Sequence, residues 1–216
     1  MASFKNPREV WDRRYREADG FLFGRAPNRW LARQAPLIPA GSEVLCVADG
    51  EGRNGVALAR LGHRVTSFDL SPVGVARARE LSAAAGVELD ARIADVEAWT
   101  WEPDRYDAVV AIFVQFASPP VRARLFAGVA RTVRPGGFVI IEGYGPRQLD
   151  YRTGGPGIAE NLYSMQMLLD AFRGWDLLAG RDADLVLDEG AGHHGRSHSI
   201  AAVFRRRRCG ERSLRA

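Results

Sequence analysis

Apolar and polar positions along this chain follow two periods, and the switching between them lays out a fold. Short apolar runs of strand length recur at residues 43–48, 64–69, 88–94, 107–113 and 138–142. Helical spacing fills the gaps at residues 54–61, from Ser71-Pro72 to about Gly86, and from Pro119-Pro120 to about Arg134. The run from Ala108 to Phe113 is unbroken, as in a strand buried on both faces. Pro135-Gly136-Gly137 reads as a turn into the fifth strand. Upstream, residues 7–18 form a charged helix with Val10, Trp11 and Tyr15 as its apolar stripe, and a second helix covers residues 28–35. Downstream, a helix over residues 164–172 precedes two strands, near 175–187 and 199–206, close enough to pair as a hairpin. Such alternation predicts an α/β fold: a doubly wound, mostly parallel seven-stranded sheet with an antiparallel C-terminal strand and an N-terminal helical cap.

Composition narrows the class. A chain of 216 residues, 46% apolar and 26% charged, suits one sizeable core. The organisation expected is a cap over residues 1–40, a core over 41–206 and a basic, disordered tail over 207–216. The longest apolar stretch, Ala108 to Val114, is far below the roughly 20 residues that span a bilayer. Lys5, Arg8 and Glu9 stand near the start with no apolar run behind them, so no signal peptide is expected. The two cysteines, Cys46 and Cys209, make no disulfide framework, and a cytoplasmic location follows. The net charge of +4 is concentrated: from Arg205 onward six arginines and one glutamate give +5, leaving the body at −1. A body that neutral lacks a phosphate-binding face, so the partner expected is a small molecule, with neither nucleic acid nor membrane, on a monomer or homodimer.

Gly50-Glu51-Gly52-Arg53-Asn54-Gly55 follows the first strand and opens a helix. Glycine there lets the backbone approach a ligand, and the helix N-terminus offers free N–H donors. Asp69 closes the second strand, where a carboxylate can accept both hydroxyls of a ribose. The same spacing satisfies the dinucleotide fingerprint, so the loop alone leaves an NAD(P)-dependent oxidoreductase and an S-adenosylmethionine enzyme both open. A protein that binds the latter cofactor without turnover is a third reading. The rest of the chain favours methyl transfer. Lys5 is the only lysine, which removes the Tyr-x-x-x-Lys relay of single-domain dehydrogenases, and there is no room for a separate substrate domain. Methyl transfer needs less machinery, because a sulfonium is already an activated donor. Asp95, ending the third strand ahead of Val96, is placed to meet an adenine amino group.

These stretches resemble the class I S-adenosylmethionine-dependent methyltransferases. Within that class they are similar to the small bacterial group related to the tellurite-resistance and thiopurine methyltransferases. The resemblance is carried by Trp11-Asp12-x-Arg14-Tyr15, Gly24-x-x-Pro27-Asn28, Gly50-Glu51-Gly52-Arg53-Asn54, Phe68-Asp69-x-Ser71, Ala94-Asp95, Pro135-Gly136-Gly137 and Glu142-Gly143-Tyr144. Thr153-Gly154-Gly155-Pro156 and His194-x-Arg196-Ser197 are similar as well. The resemblance implies a Rossmann-like methyltransferase fold with the methionine end of the cofactor near Ala48, Asp49, Gly50 and Gly52. It places the ribose on Asp69, the adenine against Leu70, Asp95 and Val96, and Phe113 on the substrate side. Two positions depart from the pattern: Cys46 stands where an acid is usual, and Ala48 where the first glycine is usual. Asp49 and backbone carbonyls are left to hold the cofactor's amino group.

No general base is evident. Members of the group it resembles often carry a histidine after the fourth strand where this chain has Gln115, which can orient a substrate but not take a proton near neutral pH. The acceptor expected is therefore a thiol, a chalcogen oxyanion or an acidic hydroxyl, with Gln115, Arg196 and Tyr15 as substrate-positioning candidates. Trp11, Tyr15 and Phe21-Leu22-Phe23 suggest a lid, and residues 144–163 a substrate wall. His193, His194 and His198 have metal-like spacing only on a helix, which Gly190, Gly192 and Gly195 oppose, so no metal site is expected.

Overall fold

The apolar runs become the middle of one seven-stranded sheet. The computed structural model describes residues 6–211 of the chain. In chain order the elements are α1 (Pro7–Glu17), α2 (Arg29–Gln34), β1 (Glu43–Val47), α3 (Arg53–Arg60), β2 (Arg64–Asp69), α4 (Pro72–Ala84), β3 (Asp90–Ile93) and β4 (Tyr106–Ile112). There follow α5 (Pro119–Thr132), β5 (Val133–Tyr144), α6 (Gln148–Tyr151), α7 (Met165–Ala171), β6 (Asp176–Asp188) and β7 (His194–Arg205). The strand order is β3-β2-β1-β4-β5-β7-β6. β1 to β5 are parallel, and β7 runs antiparallel to both of its neighbours. The chain order reverses between β1 and β4, and ligands of open α/β sheets bind outside the strand ends at such a point.

Local chemistry explains where the helices begin. Asn28 Oδ1 accepts from Leu31 N–H at 2.9 Å, Ser71 Oγ from Gly74 N–H at 3.1 Å and Ser164 Oγ from Met167 N–H at 3.1 Å. Each such cap is worth about 1 kcal/mol. The central strands bury both faces: Val44, Leu45, Ala108, Val109, Ile140 and Ile141 are fully buried. Each large side chain among them contributes about 1.5–3 kcal/mol by leaving water.

Three expectations change. Pro135-Gly136-Gly137 is not a turn between helix and strand; it lies inside β5, where the register with β4 shifts between Tyr106 and Ala108. Gly136, at φ 87°, donates its N–H to Arg206 O, so a backbone bulge is accommodated without breaking the strand. β7 begins at His194, five residues ahead of the expected Ser199, because Asp188 and His194 still pair across the hairpin. Arg196 and His198 therefore belong to a strand and not to a loop. The basic run is also held further than its composition suggests: Arg205 and Arg207 both pair with Asp176, and Arg206 pairs with Asp104. Of the expected tail, residues 212–216 lie outside the described residues. Among the described residues, no helix is long and apolar enough to cross a membrane.

Candidate cofactor and acceptor site

β1 delivers the chain to its C-terminal end with an unusual backbone. Ala48 sits at φ 48°, and across the switch point Phe113, just past β4, sits at φ 55°. Neither residue adopts that region freely, and each costs about 1–3 kcal/mol that the surrounding fold must hold in place. Beyond Ala48 the loop descends through Gly50 at φ 57° and Gly52 at φ 82° into α3. A side chain at Gly52 would fall 2.6 Å from Ala78 Cβ, so glycine there lets α3 and α4 approach.

Asp69 reaches this loop from the end of β2. Its two oxygens accept from Gly50 N–H at 3.0 Å and Ser71 N–H at 2.9 Å. Asp49 turns the other way: its Oδ2 accepts from Gly55 N–H at 2.8 Å, in the first turn of α3. Asp49 is thus committed to capping a helix that lacks a capping side chain at Gly52, a different task from the amino-group contact expected of it. Burial pushes both carboxyls up to about 6. Neither Asp49 nor Asp69 forms an ion pair among the described residues.

The N-terminal cap closes over these groups. Tyr15 of α1 is buried, and a methyl group on Gly50 would lie 2.5 Å from its hydroxyl oxygen. Asp12 of the same helix is hydrogen-bonded to Ser71 Oγ. Leu70 is half-buried beside Asp69, and Val96 is buried. Asp95 is exposed after β3, where its Oδ1 accepts from Glu97 N–H at 2.9 Å.

A second cluster stands over the ends of β4 and β5. The His193 ring is sandwiched between Phe23 at 4.5 Å and Phe113 at 4.2 Å, centroid to centroid. Its Nδ1 lies 2.5 Å from the Tyr144 hydroxyl. Burial, reinforced by Arg53 and Arg14, pushes the imidazole down to about 3, so it is neutral at physiological pH.

The expected site residues divide by place. Tyr15, Gly50 and Asp69 are brought together, with Ala48 and Gly52 on the same loop. Phe113 meets the second cluster. Gln115 is buried with its amide spent on backbone: it donates to Tyr144 O at 2.8 Å and Asn161 O at 3.2 Å, and accepts from Tyr144 N–H at 2.5 Å. Arg196 is exposed on the hairpin, stacked 4.8 Å over Tyr151 and paired with Asp184 at 3.5 Å.

Sequence reasoning missed a buried polar clasp that fastens the cap to the core. Glu189 accepts from Arg29 N–H at 2.9 Å, pairs with Arg53 at 2.8 Å and takes the Asn28 amide. Asn28 Nδ2 also donates to Glu142 Oε2 at 2.7 Å, and Glu142 pairs with Arg181. One signal was present: Glu142 is an acid inside an apolar strand, and a buried charge requires partners.

Residues 44–137 match the family model described as a methyltransferase domain. Over that stretch the chain is similar to methyltransferase domains. A ubiquinone biosynthesis O-methyltransferase of Xanthomonas axonopodis pv. citri (strain 306) is 36% identical over 128 residues, covering 57% of this chain and 53% of that relative. TehB from Haemophilus influenzae superposes with a TM-score of 0.68 at 19% identity, over 82% of this chain and 61% of the other. A structure from work on converting a disulfide bond into a thioacetal group during echinomycin biosynthesis gives a TM-score of 0.75 at 23% identity, over 94% and 92% of the two chains. At these identities the structural likeness is one of fold. The chain spans about a third to a half of the length of curated relatives it matches, 36% of one and 53% of another. S-adenosylmethionine is the cofactor that this likeness implies, and the residues around Asp69 fit it. The Asp69 carboxylate is buried with no ion-pair partner among the described residues and lies beside a bare glycine backbone, and the hydroxyls of a ribose supply donors that it lacks.

Proposed function

We propose that this chain transfers a methyl group from S-adenosylmethionine to a small-molecule nucleophile: a thiol, a chalcogen oxyanion or an acidic hydroxyl. The observation that carries the reading is the Asp69 carboxylate, buried without a counter-ion among the described residues and bonded to the N–H of Gly50 at the β1–β4 switch point. In this reading Asp69 holds the ribose, Leu70, Asp95 and Val96 border the adenine, and Ala48 to Gly52 border the methionine end.

When bound, the cofactor supplies a sulfonium whose methyl carbon is open to in-line attack. Attack there would form the nucleophile–carbon bond as the carbon–sulfur bond breaks, with that electron pair left on sulfur, so the chain's own residues need supply no oxidant or reductant. What the protein contributes is alignment and dryness. Tyr15 and the α1 cap cover the glycine loop, and Phe113, Phe23 and Tyr144 make an apolar wall on the acceptor side. The clasp through Glu189, Arg53 and Asn28 keeps that cap seated. The relatives named for ubiquinone biosynthesis are O-methyltransferases, which supports the acidic hydroxyl among the three acceptor types.

A panel of thiols, thiopurines, tellurite, selenite and catechols, assayed for S-adenosylhomocysteine release, tests the reading. Turnover of at least one acceptor is the expected result. S-adenosylhomocysteine binding with no turnover on any of them would favour the second reading, a cofactor-binding protein without catalysis.

A further inference from the structure

His193 stands apart from the other histidines of the chain. His194 is exposed beside Asp188, His198 Nε2 is 2.9 Å from Asp182, and His63 lies at the opposite end of the sheet, ahead of β2. His193 is buried at the C-terminal ends of β4 and β5 and, unlike His198, is held face to face between two phenyl rings with one ring nitrogen left over. Nδ1 has a partner in Tyr144; no partner for Nε2 occurs among the described residues. Gln115 serves the backbone, and Arg53 serves Glu189 and Phe23 O, so neither polar side chain is open to an acceptor molecule.

Hydrogen-bond accounting fixes the ring's proton. The Tyr144 hydroxyl is buried and has a single partner among the described residues, His193 Nδ1. A buried hydroxyl donates wherever an acceptor is in reach, and burial raises the Tyr144 pKa, so the phenol keeps its proton. It therefore donates to Nδ1, and the neutral ring carries its own proton on Nε2. The charged groups acting on the ring agree. Arg53 of α3 and Arg14 of α1 oppose an imidazolium, and Glu189 is already neutralised by Arg53.

We propose that Tyr144 locks His193 as the Nε2–H tautomer, making Nε2–H a donor to the nucleophilic atom of a methyl acceptor that arrives already ionised. The inference rests on the methyl-transfer reading and sharpens its substrate class: His193 touches the acceptor, and Tyr144 is a positioning residue acting through it. The acceptor's proton is lost to solvent before binding, so attack on the methyl carbon leaves no proton for the protein to take. An anion at Nε2–H gains a charge-assisted hydrogen bond that a neutral thiol or alcohol there does not.

The test uses the full chain with histidine ring nitrogens labelled for 15N NMR, in the presence of S-adenosylhomocysteine. Expected are an unprotonated Nδ1 and a protonated Nε2 at His193 throughout pH 5.5–8, with Tyr144→Phe letting the proton redistribute between the two nitrogens. 4-Nitrothiophenolate is the acceptor probe and 4-nitrothioanisole its uncharged control. The thiolate should shift the Nε2 signal and the thioether should not. His193→Leu should weaken thiolate binding about tenfold, the loss of one charge-assisted hydrogen bond, with S-adenosylhomocysteine affinity unchanged. A proton on Nδ1 in the unmodified protein, an imidazolium within that pH range, or equal thiolate binding by His193→Leu would overturn the proposal. Failure of S-adenosylhomocysteine to bind would strike the methyl-transfer reading instead, since the tautomer is read from the protein alone.

Discussion

At Asp69 the fold buries a carboxylate whose hydrogen-bond donors are two backbone amides, Gly50 and Ser71. Desolvation raises its pKa, and that of Asp49, to about 6, above the ordinary value of 3.8. A raised carboxyl favours the folded state when protonated: its contribution is fully present below about pH 4 and is lost as pH rises through 6. His193 and His63, both lowered by burial, act in the opposite sense, since the unfolded chain takes up their protons as pH falls through 6.5. The two effects oppose each other in the ligand-free protein, so the informative quantity is the extra stability conferred by the cofactor product. We predict that the rise in Tm caused by S-adenosylhomocysteine shrinks as pH falls from about 7.5 to 5.5, because protonated Asp69 is a poorer acceptor for ribose hydroxyls. An increment constant over that range, measured by differential scanning fluorimetry, would remove Asp69 from the ribose.

Among the elements, the cap depends on the clasp more than on its own helix. α1 buries one residue fully, Tyr15, whereas Arg53 and Glu189 meet with 7% and 4% of their side chains exposed. Removing one partner of a buried pair strands the other, so Arg53→Met should cost about 3–5 kcal/mol in urea unfolding. The same variant should speed proteolytic cleavage within residues 18–29; unchanged cleavage would mean that the cap is seated by other contacts. Element boundaries were legible where a capping side chain marks them, as at Asn28, Ser71 and Ser164. They were not legible at Pro135-Gly136-Gly137 or at the start of β7. In both places cross-strand pairing overrides residues that, read locally, break a strand. Backbone partners such as Arg206 O, 70 residues beyond Gly136, leave no mark nearby in the chain.

For the molecule as a whole, the parallel sheet, the reversed C-terminal strand and the glycine loop were readable because period and punctuation agree from β1 to β5. The loop's meaning was less so, since Gly50 to Gly55 satisfies a dinucleotide pattern equally well. What separated the two readings lies elsewhere in the chain: the lone Lys5, the position of Asp95, and in the fold a β7 inserted between β5 and β6. The acceptor side was the least legible, because His193, Phe23, Phe113 and Tyr144 come from four distant segments, and only folding brings them into contact. Isothermal titration of the purified chain with S-adenosylhomocysteine, and in parallel with NAD and NADP, tests the central claim most directly. We predict a single site for S-adenosylhomocysteine. At a hundred times its Kd it should add about 2.7 kcal/mol of stability, a rise in Tm of about 5–10 °C. Binding of a nicotinamide dinucleotide with none of S-adenosylhomocysteine would contradict it.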